Sequence, residues 1–357
     1  MKKKVLFFLD SNVGGAQRVS VLLSKMLDKT IYDIQYVIFG KSTGIKDFLP
    51  NNAEVKTLSV KRISVFLVWE IIKVLQEEKP FSVFCSQMYL NIRVLLASII
   101  VGDIKVVIRS NSMAKNLRHN PVLFAAAKYL YKKADKVIAQ TEEMKDELKS
   151  EFGILDSKIV VLNNPIDRES IEEKANYPSP YKDSSIRFVM VGRVLPVKGY
   201  EYAINAFAEV LKVLHSAHLF IVGDHSINVE YFRRLQLLID EIGLSSNVHF
   251  VGHTDNPYVW MKNANSFILT SKVEGLPNAL VEASYLQIPS VSTNCASIVS
   301  RIISEGENGY IVNYGDISDL SQKMMMSLNL KKTHPLYVGA TVEDVNRLFH
   351  QLVYGSV

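Results

Sequence analysis

Cysteine is nearly absent: Cys85 and Cys295 are the only two in 357 residues. They stand far apart in apolar, strand-like runs and match neither a disulfide framework nor a metal-ligand spacing, so both read as core residues of a protein in a reducing compartment. Long apolar runs are missing too. The best, Val94 to Val101, is about half of the roughly 18 residues that a membrane span requires. Met1-Lys2-Lys3-Lys4 followed by Val5 to Leu9 imitates a signal peptide, but Asp10 ends that run early, and the segment reads instead as a buried first strand. No short repeat or low-complexity segment occurs, and no Asp-x-Asp stands at a strand end to hold a metal. Integral membrane proteins and disulfide scaffolds are thereby disfavoured, and a cytoplasmic location is expected.

What is present is an ordinary globular mixture, 48% hydrophobic and 22% charged, in a chain too long for one core of about 100 to 200 residues. Short Val/Ile/Phe-rich runs alternate with segments of helical period, the pattern of parallel-sheet α/β architecture. Strands are expected near residues 5–9, 34–39, 55–58, 81–85, 106–109, 137–140 and 159–162, and again near 188–191, 219–222, 248–251, 267–269 and 290–292. Periodicity stops from Asn164 to Ser185, where Pro165, Pro178 and Pro180 accumulate. The expected organisation is therefore a Rossmann-like domain over 1–164, a linker over 165–185, a second Rossmann-like domain over 186–340 and a C-terminal helix over 341–357 that packs back on the first domain. Charge divides with the halves, +9 over residues 1–164 and −4 over 165–357. The basic excess points to an anionic partner for the first half, with scattered solvated lysines as the competing reading.

Three segments carry chemistry. After the first strand, Gly14-Gly15 leads into a helix striped by Val19, Leu22, Leu23, Met26 and Leu27. Paired glycines at a helix start let backbone N–H groups approach a phosphate, although a plain tight turn uses the same residues. The spacing is neither that of a P-loop nor that of a dinucleotide fingerprint. In the second half, Gly192-Arg193 ends a strand and Lys198-Gly199 opens a helix. Arg193 can fork onto phosphate oxygens and Lys198 can add a point charge, at the strand edge where open α/β sheets bind ligands. Further on, Glu274-Gly275-Leu276-Pro277-Asn278 precedes a helix that contains Glu282. A carboxylate there can accept from sugar hydroxyls while the N–H groups of Gly275 and Leu276 face a diphosphate.

With these residues the chain resembles a family-four retaining glycosyltransferase of the GT-B fold, two Rossmann-like domains in tandem facing a central cleft. The likeness runs through Gly14 to Val19, Asn163 to Asp167, Gly192-Arg193, Lys198-Gly199 and the Glu-x7-Glu element from Glu274 to Glu282. It implies that Arg193, Lys198 and Glu274 are catalytic, and that Gly14, Gly15, Arg193, Lys198, Val251, Glu274, Gly275, Leu276, Pro277, Asn278 and Glu282 bind the donor. Within that set, Glu274 with the Gly275 and Leu276 amides holds the sugar, and Glu282 the ribose. The co-substrate is a nucleotide-diphosphate sugar, UDP before GDP, with no further cofactor and no metal. The family's first-domain histidine is not evident. That region reads Arg109-Ser110-Asn111, and Arg109 and Asn111 are taken as acceptor-side residues. Departures occur at Gln17, where glutamate is common, and at Asn294-Cys295-Ala296, which replaces a glycine-containing loop.

The acceptor is expected to be a polyprenyl-diphosphate-linked saccharide in bacterial capsule, O-antigen or glycoprotein glycan assembly. Lys61-Arg62 with Phe66, Trp69 and Ile72, and Phe124, Tyr129 and Tyr131 with Lys128, Lys132 and Lys133, suit an anionic bilayer on the inner face of the cell membrane. Plain packing helices would look similar. Competing functions are a nucleotide-sugar 2-epimerase and a non-catalytic nucleotide-sugar-binding subunit of a two-protein transferase. Nucleic-acid binding is not expected, because no recognition motif accompanies the modest charge.

Overall fold

The computed structural model describes residues 2–11, 15–40, 44–58, 66–111, 120–182, 185–331, 337 and 339–354. Two compact units are formed, one by Met1–Pro165 with Gly339–Val357 and the other by Ile166–Val338.

The first unit runs β1 (Lys3–Asp10), α1 (Gly15–Met26), β2 (Tyr32–Phe39), β3 (Glu54–Leu58), α2 (Phe66–Glu78), β4 (Ser82–Cys85), α3 (Met88–Val101), β5 (Lys105–Arg109), α4 (Pro121–Leu130), β6 (Lys136–Ala139), α5 (Glu142–Phe152) and β7 (Ile159–Val161). Its strands are parallel in the order β3-β2-β1-β4-β5-β6-β7. Helices cover both faces, so the strands read as continuous apolar runs rather than alternating ones. Successive residues nevertheless part company: Leu6 and Phe8 enter one core, while Val5, Phe7 and Leu9 enter the other.

The second unit runs α6 (Arg168–Ala175), β8 (Arg187–Val191), α7 (Tyr200–Leu211), β9 (His218–Val222), α8 (Val229–Glu241), β10 (Val248–Gly252), α9 (Tyr258–Lys262), β11 (Ser266–Leu269), α10 (Asn278–Tyr285), β12 (Ser290–Thr293), α11 (Val299–Ile302), β13 (Gly309–Val312) and α12 (Ile317–Ser327). Its parallel order is β10-β9-β8-β11-β12-β13. In each sheet the order reverses once, beside β1 in the first and beside β8 in the second. A crevice opens at the carboxyl ends of strands flanking such a switch point, because the connections leave in opposite directions.

Two features depart from the sequence expectation. Residues 165–185 are not wholly linker, since α6 lies within them. Asp167 caps it by accepting from the Ser170 N–H at 3.1 Å. Ile171 and Ala175, one turn apart, are buried in the second unit's core with Met261, so that unit begins at Ile166 rather than at residue 186. The second departure is β13, a four-residue strand absent from the expected set.

The last helix, α13 (Val342–Tyr354), belongs to the first unit. Val345, Leu348 and Phe349 are buried with Leu23 and Tyr32, and Asn346 donates to the Met26 carbonyl at 3.0 Å while accepting from the Asp28 N–H at 2.8 Å.

Candidate active site

The loops after β8 and β11 flank the switch point of the second sheet, and backbone contacts lace them together. Gly199 has φ +64° and faces the Thr270 carbonyl so closely that a Cβ would lie 2.3 Å from its oxygen. No other residue fits there. Thr270 Oγ1 bonds the carbonyls of Lys198 and Gly199 at 3.0 and 2.9 Å, and the Lys272 N–H donates to the Val197 carbonyl at 2.8 Å. This lacing brings Lys198 and Glu274, 76 residues apart in sequence, into contact: the ammonium donates to Glu274 Oε1 at 2.5 Å. Ser271 Oγ donates to the same oxygen at 2.8 Å. From the other side, the Glu274 N–H is held by the Cys295 carbonyl at 2.9 Å. Burial, and then the Glu274 carboxylate, push the Cys295 thiol up to about 11, so at neutral pH it is an uncharged wall of the site.

Arg193 is exposed in the loop after β8 and makes no ion pair among the described residues. Its neighbour Gly192 is fixed at both ends, its N–H on the Val222 carbonyl at 2.9 Å and its carbonyl under the Tyr200 hydroxyl at 2.7 Å. Gly275, Leu276 and Pro277 lead into α10, and the N–H groups of Gly275 and Leu276 make no hydrogen bond among the described residues. Asn278 opens the helix. Glu282, half-buried inside it, accepts from the Tyr258 hydroxyl at 3.4 Å. Val251 is half-buried in β10. The second unit thus gathers two cations, a carboxylate held by one of them, Lys198, and unspent backbone donors on the loops around one crevice. That is the equipment to hold an anion and a polyhydroxylated group together.

In the first unit Gly15 opens α1, while Gly14 lies outside the described residues, as do Lys61 and Arg62. Arg109, taken from the sequence as an acceptor-side residue, is buried. It is 2% exposed, and its guanidinium donates to the side-chain oxygens of Asn111 and Asn164. The apolar lower part of β5 carries it inward. Asn111 is half-buried and donates in turn to the Ser86 carbonyl. Of the basic-aromatic residues, Phe66, Trp69 and Tyr129 are exposed, whereas Ile72 and Tyr131 are buried core.

Profiles of two families match the chain almost end to end: Glycosyltransferase Family 4 over residues 13–170 and Glycosyl transferases group 1 over residues 171–336. The chain is a family-4 glycosyltransferase of the GT-B fold. It is 24% identical over 373 aligned residues to the capsular polysaccharide biosynthesis glycosyltransferase CapH of Staphylococcus aureus, covering 99% of this chain and 98% of that one. It is 29% identical over 208 residues to the N-acetylgalactosamine-N,N'-diacetylbacillosaminyl-diphospho-undecaprenol 4-alpha-N-acetylgalactosaminyltransferase of Campylobacter jejuni, covering 58% of this chain and 54% of that one. Among solved structures, Anabaena HepE in complex with UDP superposes with a TM-score of 0.77 at 18% identity, covering both chains in full.

Three contributors to the candidate site carry no assigned role in the sequence reading: Ser271 and the Cys295 carbonyl, which orient Glu274, and Tyr258, which meets Glu282. Ser271 sits three residues before Glu274, a spacing that could have flagged it. The other two depend on strand order alone.

Proposed function

We propose that this glycosyltransferase moves a hexose or N-acetylhexosamine from a UDP-sugar to a polyprenyl-diphosphate-linked saccharide, with retention of anomeric configuration, in bacterial surface-glycan assembly. The observation that carries the donor half is the Lys198–Glu274 contact at the switch point, with Arg193 and the Gly275 and Leu276 N–H groups on the loops of the same crevice. Breaking the bond between anomeric carbon and diphosphate leaves negative charge on the departing oxygen. Fixed cations and N–H dipoles stabilise that charge without having to reorganise as it forms. Arg193 and Lys198 take this role in place of a metal, Glu274 accepts from sugar hydroxyls, and Glu282 from the ribose. The departing phosphate oxygen receives the acceptor's proton, so no dedicated protein base enters. The Campylobacter relative's name specifies an undecaprenol-linked acceptor and the HepE complex contains UDP, and both support this choice of substrates.

The first unit supports a membrane-surface acceptor. Helices α2, α3 and α4 lie side by side, and their outer side exposes Phe66 (73%), Trp69 (62%), Leu96, Ile99, Ile100, Val122 and Tyr129. Lys73, Lys128, Lys132 and Lys133 are exposed on or beside the same helices, and no helix among the described residues is long and apolar enough to cross a bilayer. An apolar face with a cationic border suits an anionic lipid surface and supports the reading of a peripheral enzyme on the cytoplasmic leaflet.

The decisive experiment is nucleotide release from a panel of UDP- and GDP-sugars, with mass analysis of the elongated lipid-linked acceptor. Lys198→Ala and Glu274→Ala should each nearly abolish turnover in a folded protein; full activity in both variants would overturn the assignment. Flotation with vesicles containing phosphatidylglycerol tests the surface. Trp69→Glu should reduce co-flotation several-fold, and wild-type protein that ignores the vesicles would refute membrane docking.

A further inference from the structure

The carboxyl edge of the first sheet contains a buried cation with no carboxylate partner among the described residues. The Arg109 guanidinium makes no ion pair among the described residues, and its contacts are the amide oxygens of Asn111 and Asn164. Burial pushes it down to about 9, so it keeps its charge at neutral pH. A buried charge without a countercharge is costly, and an apolar residue of similar size would avoid that cost. Two fixed amide oxygens, however, suit only a planar fork.

Hydrogen bonds continue from Arg109 in both directions. Toward the substrate edge, Asn111 donates to the Ser86 carbonyl, just past β4. Ser86 Oγ and Ser20 Oγ lie 2.7 Å apart, and Ser20 Oγ donates to the Ala16 carbonyl at 2.9 Å, in the first turn of α1 beside Gly15. Ser86 Oγ also reaches the Ala16 carbonyl, at 3.5 Å, so both hydroxyls converge on the first turn of α1. In the other direction Asn164 immediately precedes Pro165, the last residue before the chain passes to the second unit. The Asn164 carbonyl also abuts Gly339, where the chain re-enters the first unit: a Cβ there would lie 2.5 Å from that oxygen. Ser20, Ser86, Arg109 and Asn164 are all buried. This is a continuous polar path inside an apolar core, and each link is satisfied by the next.

We propose that Arg109 is a positioning residue: anchored to Asn164 at the chain crossing, it holds Asn111 at the strand edge and, through Ser86 and Ser20, fixes the first turn of α1. The inference rests on the transferase reading, in which that turn faces an anionic substrate group. It gives Arg109, taken from the sequence as an acceptor-side residue, an indirect role.

The test uses the full chain with Arg109→Met, Arg109→Ala, Asn164→Ala and Lys198→Ala. Arg109→Met should lower kcat at least tenfold, while UDP affinity by calorimetric titration changes less than threefold. Millimolar guanidinium should restore part of the activity of Arg109→Ala, and methylammonium should not. Amide exchange over residues 16–20 should quicken in Arg109→Met and stay at the wild-type rate in Lys198→Ala. Should Arg109→Met fail to fold, Asn164→Ala, which keeps the cation and removes one anchor, should lower kcat at least fivefold. Wild-type kcat in either variant, or unchanged exchange over residues 16–20, overturns the proposal. The exchange arm decides it even if no donor is turned over, and that last outcome would sink the transferase reading separately.

Discussion

Gly223 stands so close to Gly192 that a Cβ on it would lie 1.9 Å from the Gly192 carbonyl oxygen. That carbonyl also accepts from the Tyr200 hydroxyl, and the next residue is Arg193. The close approach of β9's end to β8's end therefore sets where the cation stands. Gly223→Ala should cost about 1–3 kcal/mol of stability through overpacking, and should weaken UDP binding by displacing the Gly192-Arg193 segment. Urea unfolding and calorimetric titration with UDP check both. Wild-type values would mean that the two strand ends part without consequence for the donor site.

The Lys198–Glu274 pair predicts non-additivity. Each side chain is about one-fifth exposed, so removing either leaves a half-buried charge behind. Lys198→Ala and Glu274→Gln should each reduce kcat by about 10² or more. The double variant should lose less than the product of the two, by a coupling of about 0.5–3 kcal/mol. A double-mutant cycle on nucleotide release measures this. Strictly multiplicative losses would show that the contact plays no part in turnover.

Which of these features could be read from the sequence follows from where the information sits. The runs Val5 to Leu9 and Phe188 to Val191 announce themselves because both faces of a parallel sheet are covered. Helix α6 does not, because only Ile171 and Ala175 of its eight residues are buried, among charges. Glycines and charges at strand ends stood out as a candidate site, since local composition changes there. The touch between Lys198 and Glu274 was not, because it follows from β8 lying next to β11, a matter of strand order. Arg109 was legible as a cation but its burial was not: its partner Asn164 is 55 residues away, and nothing in Ile108-Arg109-Ser110 shows which way the guanidinium turns.

The C-terminal helix should be indispensable to the first unit. Phe349 is buried and meets Tyr32 edge-on at 5.9 Å between ring centres, beside Val345 and Leu348. Phe349→Ala should cost about 3–5 kcal/mol, read as a fall in the urea midpoint. Truncation after Val338 would uncover Leu23, Tyr32 and their neighbours, and should give insoluble protein. A soluble, equally stable truncation would refute this packing.

Cys295 gives the site a pH dependence whose sign can be worked out. Its thiol is raised from an ordinary 9.0 to about 11, first by burial and then by the Glu274 carboxylate. Between these values the unfolded chain releases a proton that the folded chain keeps. The stabilisation is therefore complete below about pH 9 and is lost as pH rises through about 11. Cys85 is pushed upward too, by burial, so the useful quantity is the difference between wild type and Cys295→Ala, in which the Cys85 contribution cancels. Urea unfolding at pH 7.5 and pH 10 should show wild type losing more stability than the variant over that interval. At pH 7.5 the thiol is uncharged and 6% exposed, so maleimide should label Cys295 in the native protein far more slowly than in urea. Equal rates would mean that the thiolate is already formed and accessible, and the carbonyl of Cys295 could not then hold the Glu274 backbone as closed as the 2.9 Å contact implies.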